Sequence, residues 1–142
     1  IGNALYEAGC DILFVAAGAS GNGVFTAAKE LDGVFCIGCD VDQYDDGNRG
    51  DGTNIILTSV VKVMHTNVDK QLQLILDGKF EGKNELLTVQ TDSTGYISAD
   101  GRHQMAPETL EKLAEIYELV KDGTIVPAAN FNGYTPGDFP GL

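Results

Sequence analysis

An α/β fold with a parallel sheet and flanking helices is predicted by three features of the chain. Helical and strand-like apolar spacings alternate through the first ninety residues. Two of the strand-like runs are apolar on both faces, as strands covered by helices on each side must be. A helical segment joins those two runs, which makes a βαβ unit with a right-handed crossover and, by extension, a Rossmann-like parallel sheet.

The elements follow in order. Ile1, Ala4, Leu5 and Ala8 recur at helical spacing, and Gly9 supplies a left-handed stop. Asp11 to Ala17 reads as a central parallel strand. Gly18 to Gly23 is a turn in which Ser20 and Asn22 are natural helix caps, and Val24 to Leu31 is a helix ending at Asp32-Gly33. Val34 to Asp40 is the next strand. Asp45 to Asn54, rich in Gly, Asp and Asn, reads as a solvated loop. Ile55 to Ser59 is a short apolar strand, after which Thr66 and Asp69 suggest a capping box. Val68, Leu72, Ile75 and Leu76 form one face of a helix ending at Gly78. Leu86 to Gln90 and Gly95 to Ser98 are shorter strand candidates. Pro107 opens a helix whose period runs through Leu110, Leu113, Ala114, Tyr117 and Val120 to Gly123. From Pro127 onward the mixture of Pro, Gly and aromatic residues predicts an extended tail, with Phe131, Tyr134 and Phe139 as anchors, or partial disorder.

Composition narrows the function. The 142 residues are 43% hydrophobic and 21% charged, a globular balance. Nine Lys and Arg against 21 Asp and Glu give a net charge of −12, a field that repels nucleic acid. No apolar run is long enough to span a bilayer, and no basic segment followed by an apolar one marks a signal peptide. The chain opens at Ile1 inside a helix, as a fragment or processed product would. Cys36-Ile37-Gly38-Cys39 has the spacing of a redox or metal motif. In a strand, however, residues three apart face opposite ways, and no second cysteine pair completes a zinc site. These are expected to be buried thiols. His65 and His103 stand isolated, and no metal site or cofactor is expected.

Ligands of open α/β sheets settle at the carboxyl ends of the parallel strands. The first such end, Ala16-Ala17-Gly18-Ala19-Ser20-Gly21-Asn22-Gly23, brings backbone amides close to a ligand or simply makes a tight, capped turn. Its G-x-x-G-x-G spacing matches neither a dinucleotide fingerprint nor a Walker A loop. The second, Gly38-Cys39-Asp40-Val41-Asp42-Gln43, offers two carboxylates and an amide, suited to a vicinal diol or to capping a turn. The third places Lys62 after a strand, in a turn leading to a helix, where its ammonium can meet a ligand oxygen or pair with Asp40. No nucleophile, base and orienting acid come together as a catalytic set.

In this order the segments AAGASGNGV, IGCDVDQ and ILTSVVK, followed by a helix ending DGKF, resemble the basic membrane lipoprotein family, the purine-nucleoside receptors of ABC importers. The resemblance runs from about Ile1 to Ser98. It departs at Cys39 and Val41, where the family more often shows VDSDQ. It implies part of a type I periplasmic-binding-protein lobe and no enzymatic activity. Residues 1–58 and 91–126 would belong to one lobe, residues 60–90 would cross to the other, and 127–142 would form the tail. By resemblance, Gly18, Asp40 and Lys62 hold the ribose hydroxyls, with Gly21, Asn22, Asp42 and Gln43 as further candidates in the same motifs. The base-stacking aromatics of such receptors lie upstream of Ile1. The implied partners are a purine nucleoside and an ABC permease. The implied location is extracytoplasmic, held to the cell membrane by a lipid anchor outside this chain. A nucleotide- or sugar-phosphate-binding enzyme domain, and a cytoplasmic nucleoside sensor, are the alternatives.

Overall fold

The computed structural model describes residues 1–127. The tail expectation for 127–142, with its three aromatic anchors, lies almost wholly outside them. Eight main elements run α1 (Gly2–Glu7), β1 (Ile12–Phe14), α2 (Asn22–Lys29), β2 (Phe35–Asp40), β3 (Ile56–Lys62), α3 (Met64–Leu76), β4 (Thr94–Tyr96) and α4 (Pro107–Lys121). The sheet order is β1-β2-β3-β4, with β1, β2 and β3 parallel and β4 antiparallel to β3. The fold class is the mixed α/β, mostly parallel sheet that the alternation predicts.

One face of the sheet is closed. Tyr6 of α1, Phe25, Ala27 and Ala28 of α2, and Val15, Cys36, Ile55 and Ile56 from the sheet side form a single core. Ile55 and Ile56 are fully buried, each contributing about 1.5–3 kcal/mol over exposure. Cys36 is also fully buried and exchanges a 3.2 Å hydrogen bond with the Tyr6 hydroxyl, which itself donates to the Phe35 carbonyl at 3.1 Å. Burial raises both the Tyr6 hydroxyl and the Cys36 thiol above their ordinary values. All three cysteines are free, so the Cys36–Cys39 pair is not a disulfide; Cys36 is a buried thiol as expected, whereas Cys10 and Cys39 are only half-buried.

The other face is open. Ile12, Ile37, Leu57 and Val60 look across a groove of about 520 Å³ to Leu113, Ile116 and Val120 of α4. No residue of α4 is buried, although Tyr117 anchors the helix by donating to the Thr94 carbonyl at 3.2 Å and by meeting the Tyr96 ring edge-on.

Several expectations need correction. β1 is short and lies at the sheet's edge rather than its centre among the described residues, with Ile12 and Phe14 44% and 56% exposed. β3 does not stop at Ser59. It continues to Lys62 because β2 pairs with it through Val61 and β4 with Val60 to Lys62. Lys62 is therefore the last strand residue, not part of a turn. Only Val63 then separates β3 from α3, so the helix starts at Met64, Thr66 falls inside it, and the Thr66–Asp69 box does not form. Neither Ser20 nor Asn22 caps α2, because a 3₁₀ turn over Gly18–Gly21 feeds directly into that helix. Leu86 to Gln90 is not a strand. Its end enters a 3₁₀ turn at Val89–Thr91, closed by reciprocal bonds between Thr88 and Thr91, and 86–88 carry no regular structure. The 45–54 segment is structured: a 3₁₀ turn at Asp45–Gly47 and a bridge between Asn48 and Asn54 fold it, and Arg49 reaches back to the carbonyls of Ala28, at 3.0 Å, and Leu31.

Candidate functional site

The carboxyl ends of β1, β2 and β3 lie side by side, since Phe14 pairs with Ile37 and Asp40 with Val61. Asp40 and Lys62 thus emerge together at the carboxyl end of the sheet, and Gly18 follows the end of β1 by four residues. Gly18 has φ +54°, in the left-handed region, and the space where a side chain would project is empty. Its backbone faces open space.

Asp40 is one of two non-glycine residues with a left-handed backbone among the described residues. Its φ is +71°, and the Val41 amide donates to the Cys39 carbonyl at 2.9 Å across it. That is a γ-turn of the rarer kind, with Asp40 at its apex, a conformation that costs a non-glycine residue of order 1–3 kcal/mol. The Lys62 Nζ stands 2.7 Å from the Asp40 Oδ1. The Lys62 hydrogen bond and charge hold the Asp40 carboxyl below the usual carboxylate range, and Asp40 in turn raises the Lys62 ammonium. Both groups are charged at neutral pH, both remain open to solvent, and they present an anionic acceptor beside a cationic donor.

The following loop is built to hold that turn. Gln43 accepts the Cys39 amide on its Oε1 at 2.9 Å and donates its own backbone amide to the Ser59 Oγ at 3.1 Å. Gly38 makes this fit: a β-carbon there would stand 2.5 Å from the Ser59 Oγ and 3.1 Å from the Gln43 side chain. Asp42 accepts the Tyr44 amide at 3.0 Å and Arg102 Nε at 2.7 Å. Burial alone pushes the Asp42 carboxyl up, but these two hydrogen bonds and the Arg102 charge together hold it below its ordinary value. Among the described residues no group of three His, Cys, Asp or Glu side chains is placed to hold a metal, and no helix is long and apolar enough to cross a membrane.

The chain as a whole is similar to known proteins. The sequence model described as "ABC transporter substrate-binding protein PnrA-like" matches residues 1–114. The chain belongs to this PnrA-like family. It is 32% identical over 136 residues to a "CD4+ T-cell-stimulating antigen" of Listeria innocua, a match covering 88% of this chain and 38% of that protein. It is 37% identical over 93 residues to an "ABC transporter nucleoside-binding protein BmpA" of Lactococcus lactis, covering 58% and 26%. A crystal structure described as a transcriptional activator of the comK gene from Bacillus halodurans superposes with a TM-score of 0.72 at 22% identity, covering 88% of this chain and 41% of that one, and shows the shared fold alone. The chain spans well under half the length of each of these relatives.

Within the PnrA-like fold, Asp40 and Lys62 meet at 2.7 Å at the carboxyl end of the sheet, and Gly18 follows β1 toward that same end. The other four candidates are placed differently. Gly21 is buried, where a β-carbon would stand 2.6 Å from Val15 Cγ1, so it seats the turn on the strand. Asn22 is exposed at the start of α2. Asp42 and Gln43 spend their polar atoms on the loop itself. Sequence reasoning passed over Gly38, Ser59 and Arg102. Their signals were weak: a glycine inside a strand, a serine in an apolar run, and one of only two arginines in the chain.

Proposed function

We propose that the chain is part of an extracytoplasmic substrate-binding protein of an ABC importer, which closes two lobes over a purine nucleoside. The strained apex at Asp40, paired with Lys62, is the observation that carries the reading. A carboxylate beside an ammonium accepts from one hydroxyl of a vicinal diol and donates to the other, the chemistry that holds a ribose. Strain of this kind persists where the surrounding structure over-determines it, and such places cluster at binding sites. The nucleoside-binding description of the Lactococcus lactis relative supports the ligand class.

The lobe division is part of the proposal. Residues 1–58 and 91–126 form one lobe, and 60–90 cross to the other. The outgoing and returning chains run side by side, with the Val63 amide donating to the Ser93 carbonyl at 2.9 Å. Between those points α3 has no buried residue, and Val68, Leu72 and Ile75 are exposed on one face, as a helix belonging to a second lobe requires. The outer edge of β1, unpaired among the described residues, fits the further sheet that longer relatives have room for. Ligand contacts to both lobes favour the closed state, whose surface a permease can recognise. Binding rather than catalysis, and attachment to the membrane through a lipid anchor outside this chain, belong to the same reading.

Calorimetric titration of the full-length protein with inosine and guanosine, with NAD and ribose 5-phosphate as controls, tests it. Nucleoside binding that weakens roughly 5- to 150-fold in Asp40→Ala is the expected result, the range for leaving a polar partner unmatched. Binding confined to the phosphorylated controls would overturn it in favour of a phosphate-recognising enzyme domain.

A further inference from the structure

We propose that Arg102 is a positioning residue for the Asp40 site, setting ligand affinity without touching the ligand by clamping the loop that holds the Asp40 turn in shape. The inference rests on the nucleoside-binding reading above and adds to it a residue from outside the three strand-end motifs.

Arg102 lies between β4 and α4, 60 positions from Asp42 in sequence. Its Nε donates to Asp42 Oδ2 at 2.7 Å, while Nη1 and Nη2 grip the two oxygens of Asp45 at 2.8 and 3.1 Å. The guanidinium also lies 5.3 Å from the centre of the Tyr44 ring. One planar fork therefore holds three of the four side chains of residues 42–45, Asp42, Tyr44 and Asp45, and leaves Gln43 to the strand side. Gln43 is the residue that ties the loop to the Cys39 amide and Ser59, on the strand side of the Asp40 apex. The arrangement has two grips: Gln43 from within, Arg102 from without.

The arm that carries Arg102 is itself fixed. Two residues on, Gln104 donates its Nε2 to the carbonyls of Asn54 and Ile56 at 2.9 and 2.8 Å, and its backbone amide to the Leu57 carbonyl at 2.8 Å. The Arg102 amide closes a turn on the Ala99 carbonyl at 3.0 Å. The guanidinium is thus delivered to the loop from a segment stapled along β3, and two-thirds of its side chain is covered. A lysine at this position could not reproduce the fork, because an ammonium is a point charge with no planar pair of donors.

A purely structural arginine and a positioning one make different predictions. The full-length protein is titrated with inosine as wild type, Arg102→Gln, Arg102→Lys, Asp40→Asn and the double variant Arg102→Gln/Asp40→Asn, with a thermal melt of each. The expected result is a loss of roughly 10-fold for Arg102→Gln, within the range for coupled neighbours, and a smaller one for Arg102→Lys. The decisive expectation is non-additivity: once Asp40 is replaced, Arg102→Gln costs less than about 2-fold more. Additive losses, or a melting shift in folded Arg102 variants with unchanged inosine affinity, would overturn the proposal. Should Arg102→Gln fail to fold, the cycle is run with Arg102→Lys and read the same way. If Asp40→Asn alone leaves inosine binding intact, it is the ribose reading that fails, not the clamp alone.

Discussion

Asp40 and Asp42 leave the same strand end two residues apart, and their surroundings part company at once. Asp40 sits in a left-handed apex, is open to solvent, and has Lys62 as its ion-pair partner. Asp42 is half-buried and spends both oxygens, one on the Tyr44 amide and one on Arg102. The first arrangement stores strain and leaves polar capacity facing outward. The second uses its capacity up within the loop. Two aspartates in one short motif therefore divide the work, one available to a ligand and the other holding the first in place, and the pattern D-x-D alone does not say which is which.

The comparison breaks most severely where the scaffold has no room. Gly38→Ala drives a β-carbon against Ser59 and Gln43, whose contacts anchor the loop from the strand side. Overpacking of this kind costs about 1–3 kcal/mol, and a urea titration of the full-length protein is expected to show the midpoint falling with little change in slope. A midpoint that stays put would mean that the strand-side grip yields easily and that the turn is held by Arg102 alone.

A smaller effect of opposite sign is expected at the apex. Asp40→Gly removes the side chain but accepts the +71° backbone without strain, so the melting temperature is expected to rise by roughly 2–5 °C while nucleoside affinity falls. Gain of stability with loss of binding is the signature of strain kept for function. A fall in melting temperature would show that the Asp40–Lys62 pair stabilises the fold more than the turn opposes it.

How far the sequence revealed this follows from the range of each interaction. The order of helices and strands was legible, because burial against neighbours leaves a local periodic trace: Val34 to Asp40 and the α4 repeat are read directly from spacing. Gly18, Asp40 and Lys62 stood out in the sequence only through the family resemblance, since strand-end spacing alone also fits a capped turn and a solvated lysine. Strand limits were less legible than strand order. β3 runs on through Val60 and Val61 to Lys62 because β4, more than thirty residues later, pairs with that end. The Arg102 contacts left only a weak trace, the scarcity of arginine, since nothing near Asp42 announces a guanidinium 60 positions away, and Arg49 and Arg102 act on carbonyls and carboxylates chosen by the fold. Asp42 and Gln43 could be seen as polar loop residues, but whether their atoms face a ligand or the loop is decided in three dimensions.

The smallest effect is read at Asp42 in acid. Asp42 titrates below its ordinary value because the Arg102 and Tyr44 hydrogen bonds outweigh burial. A carboxyl depressed on folding contributes stability above its unfolded value, near pH 3.8, and that contribution is lost as pH falls through the folded value. Asp42→Asn is thus expected to lower stability at neutral pH by about 1 kcal/mol or less and to flatten the stability profile below pH 4. Chemical denaturation from pH 6 down to pH 3 measures it. Nucleoside affinity of the folded Asp42→Asn protein is expected to fall only as far as the loop loosens, well short of the loss in Asp40→Ala. Equal losses at the two positions would place both carboxylates on the ligand, and the division of work between them would be gone.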